Sequence, residues 1–329
     1  KLVTAGNDSI VRVWNVDTAH EDRHLTGHTK AITSVAISDD GAVVAAGSWD
    51  MTASVWDSAT GERLHTLRGH SGVILAVALS ADGRYLVTGS GDRSGTLWDL
   101  NTGRVVRTFK GLPARVTSVA VAANGSRVLV AFGTNDRVSV WHSKTKRPLF
   151  EHKLSRSNVI PLAFSRDGTL LSAAASDGIA RLWDTRNGSL IRTFKGHVGP
   201  VIKTAISKDK TTILTASHDR TIRLWDMDGG RETRLLSGHS RLINGIGISP
   251  DSRRVIAAGH AGTIHMWDLK TGRQLESLPD ERGIVTSMSF APNGSDILTV
   301  TTADKAIHLH NVLTRARPVL LKAHKEMIS

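Results

Sequence analysis

The chain has 329 residues, no cysteine and a formal net charge of +12. The missing cysteines rule out disulfides, zinc–thiolate sites and thiol catalysis, and an apolar content of 40% is that of a globular protein rather than a disordered one. No apolar run reaches transmembrane length and no signal-peptide pattern opens the chain, so membrane insertion is not expected; a cytoplasmic setting, or a nuclear one, fits the thiol-free composition.

Length alone would suggest about two domains. The chain instead carries a clock. Leu2-Val3-Thr4 reads as the first of the second-strand patterns, and Trp14 follows. From there Trp14, Trp56, Trp98, Trp141, Trp183, Trp225 and Trp267 stand 42 or 43 residues apart, most of them followed by Asp. One further step of 43 reaches His310-Asn311, a degenerate eighth copy. A fixed period in this range signals a repeat architecture. It makes residues 1–329 one cooperative domain, and the start at Lys1, inside a repeat and without Met, reads as a piece of a longer chain.

The unit is clearest between Gly196 and Asp226. Val201 to Ile206 reads as a buried strand, Ser207-Lys208-Asp209-Lys210 as a turn, and Thr212 to Ser217 as a second strand. His218-Asp219-Arg220 is a tight turn, Thr221 to Trp225 a third strand, and Thr233 to Leu236 a fourth. Short β-branched runs broken by Asp-Gly, Asn-Gly and Thr-Gly mark an all-β repeat. Four strands in 42 residues make one propeller blade. Asn124, Asn187 and Asn293 each open an Asn-Gly-Ser that serves as such a turn rather than as a glycan acceptor. The basic residues that follow the Trp-Asp pairs (Arg63, Arg68, Arg104, Arg107 and Lys110 among them) read as solvated outer-strand surface.

Gly-His and Trp-Asp anchors in phase along the whole chain resemble the WD-repeat family of β-propellers. The Gly-His anchors are Gly27-His28, Gly69-His70, Gly196-His197 and Gly238-His239, with Ala323-His324 as a variant. The resemblance implies a buried polar network in each blade. The His is expected to bond the Asp of the second turn, and a Ser or Thr to link it to the indole N–H of the Trp. His70, Thr88, Asp92 and Trp98 form one full set; His197, Thr215, Asp219 and Trp225 form another. A catalytic site occurs once, whereas these sets recur, so they are read as braces. Other blades depart from the pattern and are expected to be softer and held by apolar packing. Ala46 stands in the hydroxyl position of the His28, Asp50 and Trp56 blade; Leu112, Ser155 and Glu281 take His positions; Ala261 takes an Asp position; His310 takes the Trp position.

Eight second-strand patterns but seven first-strand patterns, the latter starting at Ala31-Ile32-Thr33, define the closure problem. His324 has no downstream partner, while Thr4, Asp8 and Trp14 have no upstream His. His324 would complete their set if the C-terminus returned to the first blade, which removes exposed strand edges. About nine residues, one strand's worth, are short on this count. The expectation is eight four-stranded blades with an incomplete closing blade; seven blades plus an overhang is the alternative.

No phosphate loop and no HExxH helix is present. His308 and His310 share a strand face, but a pair without a third ligand does not make a metal site. Neither a metal nor another cofactor is expected, and no enzymatic activity. In the resembled family the face with the Gly-His loops and Asp turns is the usual docking surface. The residues expected to ring the channel there are Trp49, Arg115, Arg156, His218, Arg241, Leu242, His260 and Arg282. Trp49 lies outside the clock, and Trp and Arg are favoured interface anchors. Arg115, Arg156 and Arg282 could form a basic sector for an acidic peptide or a phosphate group. The expected function is a non-catalytic scaffold or ligand-sensing propeller, in a signal-transduction setting, docking a peptide or protein. The alternative is a basic propeller associated with RNA or ribonucleoprotein, disfavoured by one Tyr and six Phe.

Overall fold

The computed structural model describes residues 1–15, 18, 20–124, 127–154, 159–165, 167–207, 209–278, 283–291, 293–301, 307–311 and 318–321. Every regular element among them is a β-strand. The strands form eight antiparallel sheets, each built from strands consecutive in sequence. Blade 1 holds Leu2–Ala5, Val11–Asn15 and His20–Leu25. Blades 2 to 8 have four strands each, and their first strands are Ile32–Ile37, Ile74–Leu79, Ser118–Asn124, Val159–Phe164, Val201–Ile206, Ile243–Ile248 and Val285–Phe290. Among the described residues blade 1 therefore lacks a first strand, at the joint that the strand count marks as incomplete.

The tryptophans hold the blades together. Trp98 sits in one apolar cluster with Ala45, Val55 and Leu67 of blade 2, and Trp225 in another with Leu182 and Phe194 of blade 5. Each thus packs on the preceding sheet. Trp14 obeys the same rule with blade 8, sharing a cluster with Leu298, Val300, Ile307 and Leu321. That contact closes an eight-bladed ring and excludes seven blades with an overhang. Removing a large aromatic from such a site costs about 3–5 kcal/mol. In blade 3 the strand pairing slips by one residue at Leu97/Trp98, and the same slip recurs at Val13/Trp14, Val55/Trp56, Leu182/Trp183 and Leu224/Trp225. A bulge of this kind re-aims a side chain, here at the ring in every one of these blades.

Two further devices recur. In blades 2, 3, 5, 6 and 7 the turn after the first strand is pinned by a serine hydroxyl donating to an aspartate two residues on: Ser38–Asp40, Ser80–Asp82, Ser165–Asp167 and Ser207–Asp209 at 2.6 Å, and Ser249–Asp251 at 2.5 Å. At the outer edge, a fourth-strand side chain reaches a backbone carbonyl of the next blade. His65 Nε2 lies 2.6 Å from Leu100 O, His152 Nε2 3.1 Å from Gly188 O, and Arg234 Nε donates to Thr271 O at 3.2 Å. Arg107 does the same to Thr145 O and lies over the rings of Phe109 and Trp141 at 4.6 and 5.4 Å. Arg107 is thus an inter-blade clamp rather than part of a merely solvated surface.

Candidate functional site

Strand direction sorts the turns. The turns between second and third strands share one end of the ring with the links from blade to blade; the turns between first and second strands lie at the other end. At the first end the polar braces sit just below the surface. In blade 3, His70 Nδ1 lies 3.0 Å from Asp92 Oδ2, and His70 Nε2 lies 2.8 Å from Thr88 Oγ1. Trp98 Nε1 donates to the same Thr88 oxygen at 3.0 Å. The polarity follows: a carboxylate accepts, so Nδ1 carries the proton, Nε2 accepts from the threonine hydroxyl, and that hydroxyl accepts from the indole. Blade 6 repeats the chain at 2.7, 2.8 and 2.8 Å through Asp219, His197, Thr215 and Trp225. Burial would raise the Asp92 carboxyl, but hydrogen bonds from Ser94, His70 and Ser71 outweigh it and hold the pKa at about 2. His197 is shifted down, burial outweighing the pull of Asp219.

The other blades solve the same problem differently. In blade 1, Trp14 Nε1 donates to Thr4 Oγ1 at 2.8 Å, and Arg12 Nη1 meets Asp8 Oδ2 at 2.8 Å. His324 lies outside the described residues. In blade 5, Arg181 Nη2 meets the turn Asp177 at 2.6 Å, an arginine from the third strand binding the carboxylate. There Ala173 pairs with Arg181 in the sheet, where blade 6 has Thr215 opposite Arg223, and the buried Trp183 Nε1 has no partner among the described residues. In blade 2, His28 reaches Asp50 at 2.8 Å, but Ala46 offers no hydroxyl and His28 Nε2 is left unpaired among the described residues. In blade 7 both partners are missing. Among the described residues His239 Nε2 is unpaired, and its ring lies edge-on to His265 at 4.5 Å. Burial first, and the charge of His265 second, push His239 down to about 4. In blade 8, His310 Nε2 lies 3.3 Å from Thr299 Oγ1, so the histidine in the tryptophan position takes up the same hydroxyl.

Above the braces, in blades 2, 6 and 7, the residue before the turn Asp, or before the Ala261 in its place, is fixed by one recurring backbone bond. Trp49 N–H donates to Ala31 O at 3.0 Å, His218 N–H to Pro200 O at 2.9 Å and His260 N–H to Leu242 O at 2.9 Å. These bonds tie each turn to its own first strand and place Trp49, His218 and His260 at equivalent points around the channel. Trp49 is 55% exposed, Met51 in the same turn 40%, and Val198 in the link into blade 6 is 92% exposed. Arg115 lies in the link into blade 4, with its Cδ 4.0 Å from where a Cβ on Gly91 would stand, over blade 3. Arg241 is exposed and Leu242 half-buried in the link into blade 7. Arg156 and Arg282 lie outside the described residues, so of the expected basic sector Arg115 alone is placed.

The opposite end of the channel, which sequence reasoning passed over, opens into a cavity of about 660 Å³. Its wall includes Leu79, Val121, Phe164, Ile206 and Ile248, one from each of blades 3 to 7. The only sequence signal was an apolar residue at or near the end of each of these first strands, which also reads as core. Among the described residues no group of three or more His, Cys, Asp or Glu could hold a metal, and no helix is long and apolar enough to cross a membrane.

A family model described as the IFT122 first beta-propeller matches residues 52–311, and one described as WD domain, G-beta repeat matches residues 20–57. No curated protein matches the chain. Among solved structures, a computationally designed protein, Ika8, is similar at 27% identity, with 94% of this chain and 93% of that one covered and a TM-score of 0.81. With the repeat, the ring and a family match over most of its length, the chain belongs to the WD-repeat β-propellers, in the family of the IFT122 first beta-propeller.

Proposed function

We propose that this propeller is a non-catalytic interaction scaffold that docks a peptide or protein on the end of the ring carrying Trp49. WD-repeat propellers are generally protein-interaction scaffolds, and the recurring His–Asp pairs here are occupied in bracing. One observation carries the reading: a tryptophan outside the structural repeat stands 55% exposed beside Met51 on a rigid turn. An exposed apolar group with nothing local to bury against gains free energy when a partner covers it, and tryptophan is the commonest anchor of that kind. Arg115, Arg241, His218 and His260 on the same rim favour an acidic partner. The single-domain organisation, a role in signal transduction and a cytoplasmic setting belong to the same reading.

Selection of a random peptide library on the immobilised propeller tests it. Enriched peptides are expected to lose about tenfold or more in affinity for Trp49→Ala and to keep their affinity for Arg104→Ala, at the start of an outer strand on the opposite end. Equal binding to both variants would remove Trp49 from the site.

A further inference from the structure

The seven first strands of blades 2 to 8 line the axial channel, and across all of them Lys203 is the only charged residue. Its neighbours in the strand, Ile202 and Thr204, are buried, whereas Lys203 is exposed. A first strand pairs along one edge with its second strand and packs both faces on adjacent blades. The channel is its one open side, so the exposed side chain in mid-strand enters the channel. No carboxylate meets the ammonium among the described residues, and the surrounding protein holds its pKa below the usual lysine value. A cation that stands in a protein-walled channel with no counter-charge among the described residues is a ready partner for an anion.

The same strand runs on through Ile206 and Ser207 into the 660 Å³ cavity. Ile206 is three residues beyond Lys203, about 10 Å along the strand. The cavity wall sets these apolar side chains among polar ones, Ser165, Ser207 and Ser249 included, and its cation, Lys210, is already neutralised by Asp167 at 2.5 Å. Unpaired positive charge and apolar wall are thus separated along one axis.

We propose that the axial channel binds a carboxylate joined to an apolar body, with Lys203 receiving the carboxylate and Leu79, Val121, Phe164, Ile206 and Ile248 enclosing the body. A charge-assisted hydrogen bond supplies orientation, and the apolar body supplies the burial. The carboxylate comes from a free small acid or from the C-terminus of a peptide ending in a large apolar residue. This site is independent of the Trp49 surface at the opposite end.

Isothermal titration calorimetry of the whole chain tests the site with phenylhexanoate as probe. The wild type and Lys203→Arg are expected to bind it, Lys203→Met to bind about tenfold or more weakly, and the neutral phenylhexanamide to bind all three equally poorly. A tetrapeptide ending in phenylalanine, with its terminus free or amidated, distinguishes the two sources. Binding that is lost on amidation assigns a chain terminus; exclusion of both forms assigns a free acid. Thermal unfolding of Lys203→Met should occur no lower than in wild type, which separates loss of the site from loss of the fold. No saturation of the wild type by phenylhexanoate, or equal affinity in Lys203→Met, overturns the proposal.

Discussion

Blades 3 and 7 bury a histidine against a tryptophan in the same place and reach opposite electrostatic states. In blade 3, His70 sits between Asp92 and Thr88, and every polar atom of the chain has a partner. In blade 7, Ala261 removes the aspartate and no hydroxyl faces His239 Nε2, which is unpaired among the described residues, and its pKa is held at about 4. The repeat therefore fixes shape through apolar packing alone, while the polar network decides how firmly, and at what pH, a given blade holds. A buried polar group with its partners adds a modest net amount; one stripped of them imposes its full desolvation penalty.

The comparison breaks most directly at Thr88. Thr88→Val keeps the shape but strands both His70 Nε2 and the Trp98 indole N–H. It should cost about 2–4 kcal/mol in equilibrium denaturant unfolding. A loss below 0.5 kcal/mol, on the order seen at ordinary surface sites, would mean the chain of bonds is ornamental.

Acid separates the two blades next. His239 titrates at about 4 in the fold and near 6.5 when unfolded. The unfolded state therefore binds more protons between these values. The stability contributed by the neutral imidazole is complete above about pH 6.5 and is lost as pH falls toward 4, on the order of 3 kcal/mol at most. Asp92, at about 2, keeps its contribution until pH falls below about 4. Hydrogen exchange at pH 5 against pH 7 should show blade 7 amides losing protection while blade 3 amides hold. Uniform behaviour would contradict the separation, and His239→Gln should abolish the blade 7 effect.

The smallest effect restores what blade 7 lacks. Ala261→Asp places a carboxylate where blades 2, 3 and 6 have one. It should raise the His239 pKa and add about 1 kcal/mol at pH 7. NMR titration of the imidazole reads the first, and chemical denaturation the second.

Much of this was legible in the sequence, for a physical reason. The tryptophans, the Gly-His anchors and the Asp turns recur because each blade must solve the same packing problem, and repetition makes the solution visible. The strand bounds Val201–Ile206 and Thr212–Ser217 could be read directly. What could not be read is substitution by a different element. Arg181 binds Asp177 from the third strand, a role a sequence scan for upstream histidines does not look for. Arg107 looks like any solvated arginine until the next blade's carbonyls are in place. The channel cavity is invisible for a similar reason, because it is made from strand ends of five blades that are distant in sequence.

The central claim is that the recurring His and Asp act on each other as internal struts. A double-mutant cycle measures this directly, from the unfolding free energies of wild type, His70→Ala, Asp92→Ala and the double variant at pH 7. The pair sits at 3.0 Å and is largely buried, so the predicted coupling is about 1–3 kcal/mol. A coupling indistinguishable from zero, with both single variants as stable as the wild type, would contradict the account.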